Sequence, residues 1–467
     1  MFKPTVFALL VAGLTAGCSL APNYSRPSLP VTDQWPEGAK PAGQRQVVNL
    51  DWQALFPDQR LQAVIQLALD NNRDLRIAVA RVEEARAQWG VQKADRLPSL
   101  DVSLGRTASL TPSALSSTGR DFHTNRYDGN LNLLSFELDF WGRVANLSEA
   151  AKASYLSTDE ARRTVRLGLI ADVANAYLTL KEMEERLALS KETVRTREEM
   201  RHLVDLRRQV GIAGDLDYLQ AEGALETVKA DLAALERQRV QAANALTLLV
   251  GAPLPVNLPA GRSLVDQGIE PDLAAGVPSD VLLRRPDVRG AEQRLIGSNA
   301  NIGAARAAFL PKIVLTGAFG SASPALSGLF KAGTESWSYT PILREPLFDW
   351  GRTSGNVDVA QARKVQAVAD YEKTLQSAFR EVADLLVARD TLIEQLRAQQ
   401  ATDKAQSERL RLTEARFKSG IASSLELLDA QRDSYTAQQN VVAVRRQLLA
   451  TVAQLYKGLG GGEAQGE

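Results

Sequence analysis

Two patterns of apolar and polar positions follow one another in the first third of the chain. Apolar residues recur at three- and four-residue spacings from about Leu61 to Arg96, which is typical of an amphipathic helix, and Pro98 is expected to end it. Beyond Pro98 the period changes to two, so that apolar and polar residues alternate. We predict two strands with one apolar face here, at about 99–110 and 126–138.

The same succession of patterns returns later in the chain. Helical periodicity reappears at about 280–309, and two more strands are predicted at about 312–322 and 335–346. Trp141 and Trp350, just after each strand pair, are 209 positions apart, whereas Pro98 and Pro311, just before each pair, are 213 apart. The chain is therefore predicted to be an internal duplication, with four extra residues in the first strand-loop-strand region.

A long stretch without proline follows each strand pair, and one glycine-containing turn interrupts each stretch. The turns centre on Gly211 and Gly420, which are again 209 positions apart. In each copy the two shorter helices, laid end to end, match the length of the one long helix. An antiparallel arrangement of about 100 Å is expected from the rise of 1.5 Å per residue, with the strands at one end and the turns at the other.

The N-terminus is typical of an exported lipoprotein. Lys3 precedes an apolar run, and Thr15-Ala16-Gly17 leads to Cys18, the single cysteine of the chain. Leu14 lies four residues before the cysteine rather than the usual three, so an ordinary signal peptide with a chance cysteine is the alternative. The predicted segments are the signal peptide 1–17, an extended arm 18–60 with a lipid on Cys18, the first repeat 61–251, a connector 252–279, the second repeat 280–458 and a flexible tail 459–467.

Composition excludes several classes of function. Lys and Arg together number 55, as do Asp and Glu, so a general basic field for nucleic acid is absent. Two histidines and one cysteine provide no cluster of metal ligands, and no motif of a nucleophilic, phosphate-binding or zinc enzyme occurs. We therefore expect no catalytic residue, no metal and no cofactor apart from the covalent lipid.

The strands predict both membrane insertion and self-association. No run of eighteen apolar residues occurs after residue 20, so any membrane span of the mature chain has to consist of strands. Four strands cannot close into a barrel, and unpaired strand edges are not tolerated in lipid. Two chains would give eight strands, whose interior is filled by side chains, whereas three chains would give twelve and an open pore. The alternative is a soluble helical bundle that carries two small hairpins.

The helix after Gly420 carries candidate pore-lining residues. Leu425 and Asp429 are four positions apart, and Glu426 and Asp429 are three apart, so these side chains project from one face. Three copies around an axis would form a leucine ring and acidic rings; apolar constrictions gate pores by dewetting, and carboxylate rings favour cations. An ordinary solvated helix face is the alternative.

Several motifs, in order along the mature chain, resemble a known family. They are Gly17-Cys-Ser19, Asn71-Asn-Arg-Asp-Leu75, Phe136-Glu-Leu-Asp139, Asn301-Ile-Gly-Ala-Ala-Arg-Ala-Ala-Phe-Leu-Pro311, Ser327-Gly-Leu-Phe330 and Leu428-Asp-Ala-Gln-Arg432. The chain resembles the TolC-type outer-membrane efflux factors, in the lipoprotein branch that includes OprM. This resemblance implies an α+β membrane protein: a homotrimer with a twelve-stranded β-barrel in the outer membrane and a twelve-helix α-barrel in the periplasm.

The resemblance also implies roles for individual residues. Leu425 and Asp429 match the periplasmic constriction of OprM-like proteins, and Glu426 matches an acidic ring position of TolC. Arg432 is expected to pair with a carboxylate and help to hold the closed state. In the first copy, Asp215, Asp217 and Tyr218 are expected to act as a latch. The tips that meet the adaptor are expected to be Val210-Gly211-Ile212 and Ser419-Gly420-Ile421.

The function implied by the resemblance is that of a passive, gated duct. It would sit in the Gram-negative outer membrane, in contact with its lipid, and would join a periplasmic adaptor and an inner-membrane RND-type transporter in a tripartite pump. Its cargo would be drugs or other small toxic compounds. A type I-like protein secretion duct and a structural envelope lipoprotein are the alternatives. Deletion with susceptibility testing would separate drug export from protein secretion.

Overall fold

The computed structural model describes residues 19–36, 45–46, 50–271 and 273–462. Cys18 and the proposed signal peptide lie outside the described residues, as does the end of the predicted tail. The helices are α1 (Trp52–Leu55), α2 (Gln59–Asn71), α3 (Arg73–Ala94), α4 (Arg143–Gln209), α5 (Asp215–Val250), α6 (Pro278–Leu282), α7 (Pro286–Ala307), α8 (Arg352–Lys418) and α9 (Ser424–Gly458). The strands are β1 (Arg45–Gln46), β2 (Ser99–Thr111), β3 (Phe122–Glu137), β4 (Leu273–Ala274), β5 (Lys312–Ser323) and β6 (Glu335–Arg344).

The duplication is visible in the helix lengths. The two long helices, α4 and α8, each contain 67 residues, and the helices that follow their turns contain 36 and 35 residues. Proline is absent from both long helices, so no backbone donor is missing from their ladders. The chain is thus helix-rich and internally repeated, as the periodicity predicted.

The helix before each strand pair differs from the prediction, because each is broken in two. In the first copy the break falls at Asn72, whose side-chain amide donates to the Leu249 carbonyl at 2.7 Å, while its side-chain oxygen accepts from the Leu75 N–H at 2.9 Å. The buried asparagine therefore ends one helix, caps the next and fixes both against the end of α5. In the second copy Pro286 begins α7, where a missing N–H is tolerated.

Part of the arm predicted to be extended is helical. Trp52 and Leu55 of α1 are buried, as is Phe56 directly after it. Asp58 begins α2 and is itself buried. Apolar burial therefore orders this stretch, although its proline and glycine content favoured an extended chain.

Four strands form one antiparallel sheet in the order β2-β3-β5-β6, so the two hairpins lie side by side through β3 and β5. Leu131 lies opposite Val102 on one side and opposite Phe319 on the other, and Phe319 lies opposite Trp337. These four residues mark one continuous apolar face, and β2 and β6 are the two edges. A β-bulge in β3 between Leu133 and Phe136 shifts the register with β5 by one residue.

The strand ends differ slightly from the prediction. β3 begins at Phe122 rather than near 126, because the hairpin pairing continues to Thr111 opposite Phe122. β6 ends at Arg344 rather than 346, before Pro346, which has no N–H to donate to a ladder.

The chain divides into two compact units. The strand unit contains Arg81–Asp159, Gly290–Tyr371 and the described residues up to Ser28. Here the arm lies along α7: Arg26 forms a bidentate ion pair with Glu292 at 2.7 and 3.0 Å, and the Asn299 side chain donates to the Pro22 carbonyl at 2.6 Å. A side chain at Gly303 would reach 2.7 Å from the Ala21 nitrogen, so this close approach requires glycine.

The helical unit contains Leu29–Ala80, Glu160–Arg289 and the described residues from Glu372 onward. Its apolar core includes Phe56, Leu61, Ile170, Leu178 and Tyr456. Burial would raise the pKa of the Asp58 carboxyl within this core, but hydrogen bonds from the Tyr177 hydroxyl, the Arg262 and Arg60 backbone N–H groups and the Gln267 amide hold it below its ordinary value. None of the helices in the described ranges is both long and apolar enough to cross a membrane.

Candidate functional site

The two turns between long and short helices have the same backbone. Gly211 and Gly420 have φ of +79° and +74°, a region that glycine enters without strain. In each turn the N–H of the following isoleucine bonds back to an arginine carbonyl, Ile212 to Arg207 at 2.8 Å and Ile421 to Arg416 at 2.9 Å. This is the hydrogen-bonding pattern that glycine gives when it ends a helix.

The predicted tip residues project into solvent. Val210, Ile212 and Ile421 are all well exposed, and Ser419 donates its hydroxyl to the Ala415 carbonyl within α8. A side chain built on Gly211 or Gly420 would meet no other atom within 4 Å. The glycines are therefore required by backbone conformation and not by crowding.

Leu425 and Asp429 lie on the first two turns of α9, in the helical unit. Leu425 is 49 % exposed, and the Asp429 side chain is 41 % exposed. Leu427 and Leu428, on the opposite side of α9, are buried with Met200, Val204 and Phe417. The helix thus buries one apolar face and presents Leu425 and Asp429 on the other, as the spacing predicted.

Glu426 has a local task that the sequence analysis did not assign. Its side chain accepts from the Ser423 N–H at 3.2 Å, while the Ser423 hydroxyl accepts from the Glu426 N–H at 3.2 Å. This reciprocal pair is a capping box, which satisfies two unpaired donors at the start of a helix. The pattern Ser-x-x-Glu was visible in the sequence and could have identified it.

Arg432 pairs with carboxylates of its own helix. Its guanidinium lies 3.1 Å from Asp429 and 3.1 Å from Asp433. Asp433 also accepts from Arg409 of α8 at 2.7 Å, and this hydrogen bond, together with Arg432, lowers the pKa of the Asp433 carboxyl below its ordinary value. Asp429 is therefore the first of four charged side chains in contact, and the last of them, Arg409, lies on the long helix α8.

The three latch residues of the first copy occupy different settings. Asp217 accepts from the Ser424 hydroxyl at 2.6 Å and so joins the first turns of α5 and α9. Tyr218 accepts from Arg201 at 3.1 Å and lies under the Arg208 guanidinium. Asp215 is highly exposed and forms an ion pair with Arg208 at 3.4 Å. Asp217 thus joins two helices, whereas the Asp215 contact lies at the surface.

Arg197 of α4 is the residue that the sequence analysis missed. It is 3 % exposed, and its Nη2 donates to the Leu428 carbonyl at 3.1 Å. Within the described residues its Nε and Nη1 have no hydrogen-bond partner. The pKa of this guanidinium is lowered to about 10, chiefly by burial and also by the charge of Arg432, while Asp429 acts in the opposite direction. Arg197 therefore remains charged at neutral pH, directly behind the α9 segment that carries Asp429.

Comparison with known proteins places this arrangement in a family. The family model described as outer membrane efflux protein matches residues 64–252 and 277–461, most of the chain. The chain belongs to the outer membrane efflux protein family. Both turns and both strand pairs lie within the matched ranges.

Individual members of the outer membrane efflux protein family are similar over their full length. Outer membrane protein OprJ of Pseudomonas aeruginosa is 43 % identical, and the match covers 100 % of this chain and 98 % of that protein. Toluene efflux pump outer membrane protein TtgC of Pseudomonas putida is 40 % identical, with 99 % and 96 % covered. The open state of the MtrE outer membrane channel of Neisseria gonorrhoeae matches with a TM-score of 0.88 and 39 % identity, over 95 % of this chain and 98 % of that one.

These findings set the cellular location and the class of activity. The chain is an efflux protein of the Gram-negative outer membrane, like the relatives that it matches from end to end. The outer membrane efflux protein family is a family of export channels.

Proposed function

We propose that this protein is the outer-membrane channel of a tripartite efflux pump, a passive gated duct for small toxic compounds. The observation that carries the gate is the placement of Leu425 and Asp429: both are exposed on the helix that follows the second turn, while the opposite face of that helix is buried. The similarity to a protein named for a toluene efflux pump supports small apolar compounds as the cargo.

The channel is a homotrimer in this proposal. β2 and β6 are open edges of a four-stranded sheet whose apolar face is exposed, and such edges need partners in lipid. Three chains would close a twelve-stranded β-barrel, wide enough for a conduit, and their long helices would form a twelve-helix α-barrel. Similarity to the MtrE channel over nearly the full length supports this architecture.

The gate would work by two physical effects. Three Leu425 side chains around a narrow axis form an apolar constriction that excludes water, and three Asp429 carboxylates, with Glu426 beside them, form acidic rings that favour cations. Arg432 fixes the Asp429 carboxylate on its own helix, whereas the contact of Asp217 with Ser424 joins two helices and would hold them in the closed arrangement. Asp215 and Tyr218 support the same latch from the first copy through Arg208.

The remaining partners follow from the two helix turns and from the lipid. Val210, Gly211 and Ile212 form one tip and Ser419, Gly420 and Ile421 the other, so a trimer presents six tips to a periplasmic adaptor, which in turn joins an RND-type inner-membrane transporter. The exposed isoleucines at 212 and 421 provide apolar anchors for such a contact. A lipid on Cys18 would tie the chain to the outer membrane, and no further cofactor is required.

Single-channel recording in planar bilayers tests the gate. The double variant Leu425→Ala with Asp429→Ala removes both rings and is expected to increase the open-state current and the open time several-fold. The control is Leu216→Ala with Gln220→Ala, the same positions in the first copy, which should leave the current unchanged. An equally low current from both double variants would contradict the assignment of the gate.

A separate experiment tests the cargo. Deletion of the gene should increase susceptibility to small apolar toxic compounds, and the wild-type chain should restore resistance. Unchanged susceptibility together with loss of a secreted protein would instead favour a protein secretion duct.

A further inference from the structure

The two repeats differ at the tryptophan that follows each strand pair. Trp141 is half-buried, and its indole N–H donates to the Pro311 carbonyl at 2.9 Å. Pro311 begins the second copy's strand pair, so this hydrogen bond ties the end of one hairpin to the start of the next. This hydrogen bond and the backbone pairing of β3 with β5 together form the contact between the two hairpins, which we call the seam.

Trp350 occupies the matching position and has a different environment. Its side chain is 100 % exposed, and its φ of +58° is a conformation that a bulky residue adopts only under constraint. The turn around it is nevertheless well formed, because Asp349 accepts from the N–H groups of Gly351 at 3.0 Å and Thr353 at 2.8 Å. The indole is thus held in the open by an ordered turn.

The counterpart of Pro311 is also exposed. Pro98 precedes β2 as Pro311 precedes β5, and it lies at the surface while Pro311 is half-buried. Within the described sheet, the two hairpins meet at the pairing of β3 with β5. The groups that would form a second contact of this kind lie at the two edges of the sheet: β6 with Trp350 at one edge and β2 with Pro98 at the other.

The geometry of the seam within the chain gives the register of the open one. Ser99 pairs with Leu134 and Lys312 pairs with Arg344, so β2 maps onto β5 at 213 positions and β3 onto β6 at 210. After the bulge in β3 the spacing becomes 209, the value that relates Trp141 to Trp350. Of the four extra residues in the first copy, three lengthen its hairpin and one forms the bulge.

We propose that β6 of one protomer pairs antiparallel with β2 of the next in this register, and that Trp350 donates its indole N–H to the carbonyl of the partner subunit's Pro98. Within the chain, Leu133 lies opposite Gly317, and the equivalent pair between protomers is Leu343 with the partner's Leu104. Likewise, Asp128 lies opposite Ala322, and the equivalent pair is Ser338 with the partner's Ser109. The partner is a second copy of this chain. The inference rests on the proposed trimer and adds to it the residues that join its subunits.

The pattern of side chains supports this register independently. Leu343 lies opposite Ile313 on the apolar face of the sheet, and Leu104 lies on the same face, two residues from Val102. Because side chains alternate along a strand, a shift by one residue would bring Leu343 opposite Ser103 or Gly105, which lie on the polar face. Continuity of the apolar face across the new seam therefore selects the proposed register over its neighbours.

Disulfide cross-linking tests the register. Ser338→Cys with Ser109→Cys places two thiols on directly opposed residues, whose Cα atoms in an antiparallel pair are about 4.5–5.5 Å apart, within reach of a disulfide. With copper phenanthroline as the oxidant, the two thiols lose two protons and two electrons. Covalent dimers and trimers are expected on a denaturing gel, and a reductant should reverse them.

Two matched pairs control the cross-linking. Ser338→Cys with Ala108→Cys moves one thiol to the other face and should give no covalent oligomer. Asp128→Cys with Ala322→Cys is the equivalent pair within one chain and should form a disulfide without a change in mass. Cross-linking through position 108 rather than 109, or none through 109 in a protein that is otherwise oligomeric, would overturn the register alone. A wild-type protein that is monomeric in detergent would overturn the trimer as well.

The indole hydrogen bond has its own test. Trp350→Phe keeps an aromatic ring and removes the N–H, so the oligomer should dissociate several degrees lower than the wild type when heated in a denaturing detergent. Trp141→Phe removes the equivalent bond within the protomer, and its loss should lower the melting temperature of the sheet rather than separate the subunits. An unchanged dissociation temperature for Trp350→Phe would contradict the proposed hydrogen bond.

Discussion

The two turns share a backbone and differ in what the next helix carries. Both place glycine at positive φ, and both return two N–H groups to an arginine carbonyl. Leu216 of the first copy matches Leu425 of the second, and both are exposed. The duplication has therefore kept the shape of the turn and its exposed leucine.

The ion pair of Asp429 with Arg432 has no counterpart in the first copy. Gln220 stands where the second copy has Asp429, and Gly223 stands where it has Arg432. The ion pair of Arg409 with Asp433 is replaced by Met200 and Ala224. The comparison teaches that the repeated unit gives both turns the same shape, whereas the ion pairs of Asp429 with Arg432 and of Arg409 with Asp433 belong to the second copy.

Of the substitutions that test the difference between the two turns, removal of the buried Arg197 should have the largest effect. Arg197→Met takes away the hydrogen bond to the Leu428 carbonyl, and a bond of this charged type contributes about 1.5–3 kcal/mol. If that bond is lost when α9 moves, the closed state is weakened by about tenfold or more. Single-channel recording should show longer openings.

The control for that experiment is Gln406→Met, at the position that matches Arg197 in the other long helix. It should leave the openings unchanged. The melting temperature of Arg197→Met should stay close to that of the wild type, because methionine suits the apolar cluster around Met200. Equal effects from the two substitutions would argue against a special role for Arg197.

Substitution of the two turn glycines tests whether the backbones are equivalent. Gly211→Ala and Gly420→Ala each place a side chain at positive φ, at a cost of about 1–2 kcal/mol. Neither new methyl group meets another atom within 4 Å, so the two costs should be equal. Chemical denaturation followed by circular dichroism measures both, and clearly unequal costs would show that the turns are not equivalent.

Substitutions in the cap of α9 distinguish the contribution of Glu426 to helix stability from its proposed role in a ring of charge. Ser423→Ala removes one half of the capping box and should cost about 1 kcal/mol. Glu426→Gln keeps the capping acceptor and removes the charge, so stability should persist while cation selectivity falls. Reversal potentials in asymmetric salt measure the selectivity. A selectivity unchanged in Glu426→Gln would restrict Glu426 to capping.

Acid should weaken the contact of Asp433 at the second turn, and this is the smallest effect expected here. The pKa of Asp433 is lowered by Arg409 and Arg432, so its contribution is present above the ordinary value of 3.8 and is lost as the pH falls through the lower folded value. The pair with Arg409 is partly exposed, which limits the contribution to about 0–1 kcal/mol. Asp433→Asn should therefore melt slightly below the wild type at neutral pH.

The difference in melting temperature should shrink as the pH falls below 3.8 and should disappear once the pH is below the lowered folded pKa, where the wild-type carboxyl is protonated too. Ala224→Asn at the matching position is the control, and its difference from the wild type should not change with pH. A difference for Asp433→Asn that persists in acid would show that the ion pair is not its cause.

Periodicity predicted the larger elements because their patterns are local. The alternation around Val102 and Leu131 predicted the strands, and the glycines at 211 and 420 predicted the turns. The break at Asn72 was missed because its side chain is fixed by Leu249, far away in the sequence. The burial of Arg197 likewise depends on packing against Leu428.

The candidate site was only partly predictable for the same reason. The shared face of Leu425 and Asp429 follows from helical spacing alone. The partner of Asp217 does not, because Ser424 lies on another helix and only the folded chain brings the two together. The bulge in β3 was invisible as well, since it is defined by pairing with a strand of the other repeat.

The open edges of the sheet have a consequence for how the protein is stored and handled. In the proposed trimer, other copies complete the outer strands, so the melting temperature would depend on concentration, because dilution removes the partners and exposes β2 and β6 again. The strand unit should then melt at a temperature that rises with protein concentration, whereas the helical unit, with its own apolar core, should depend on it far less.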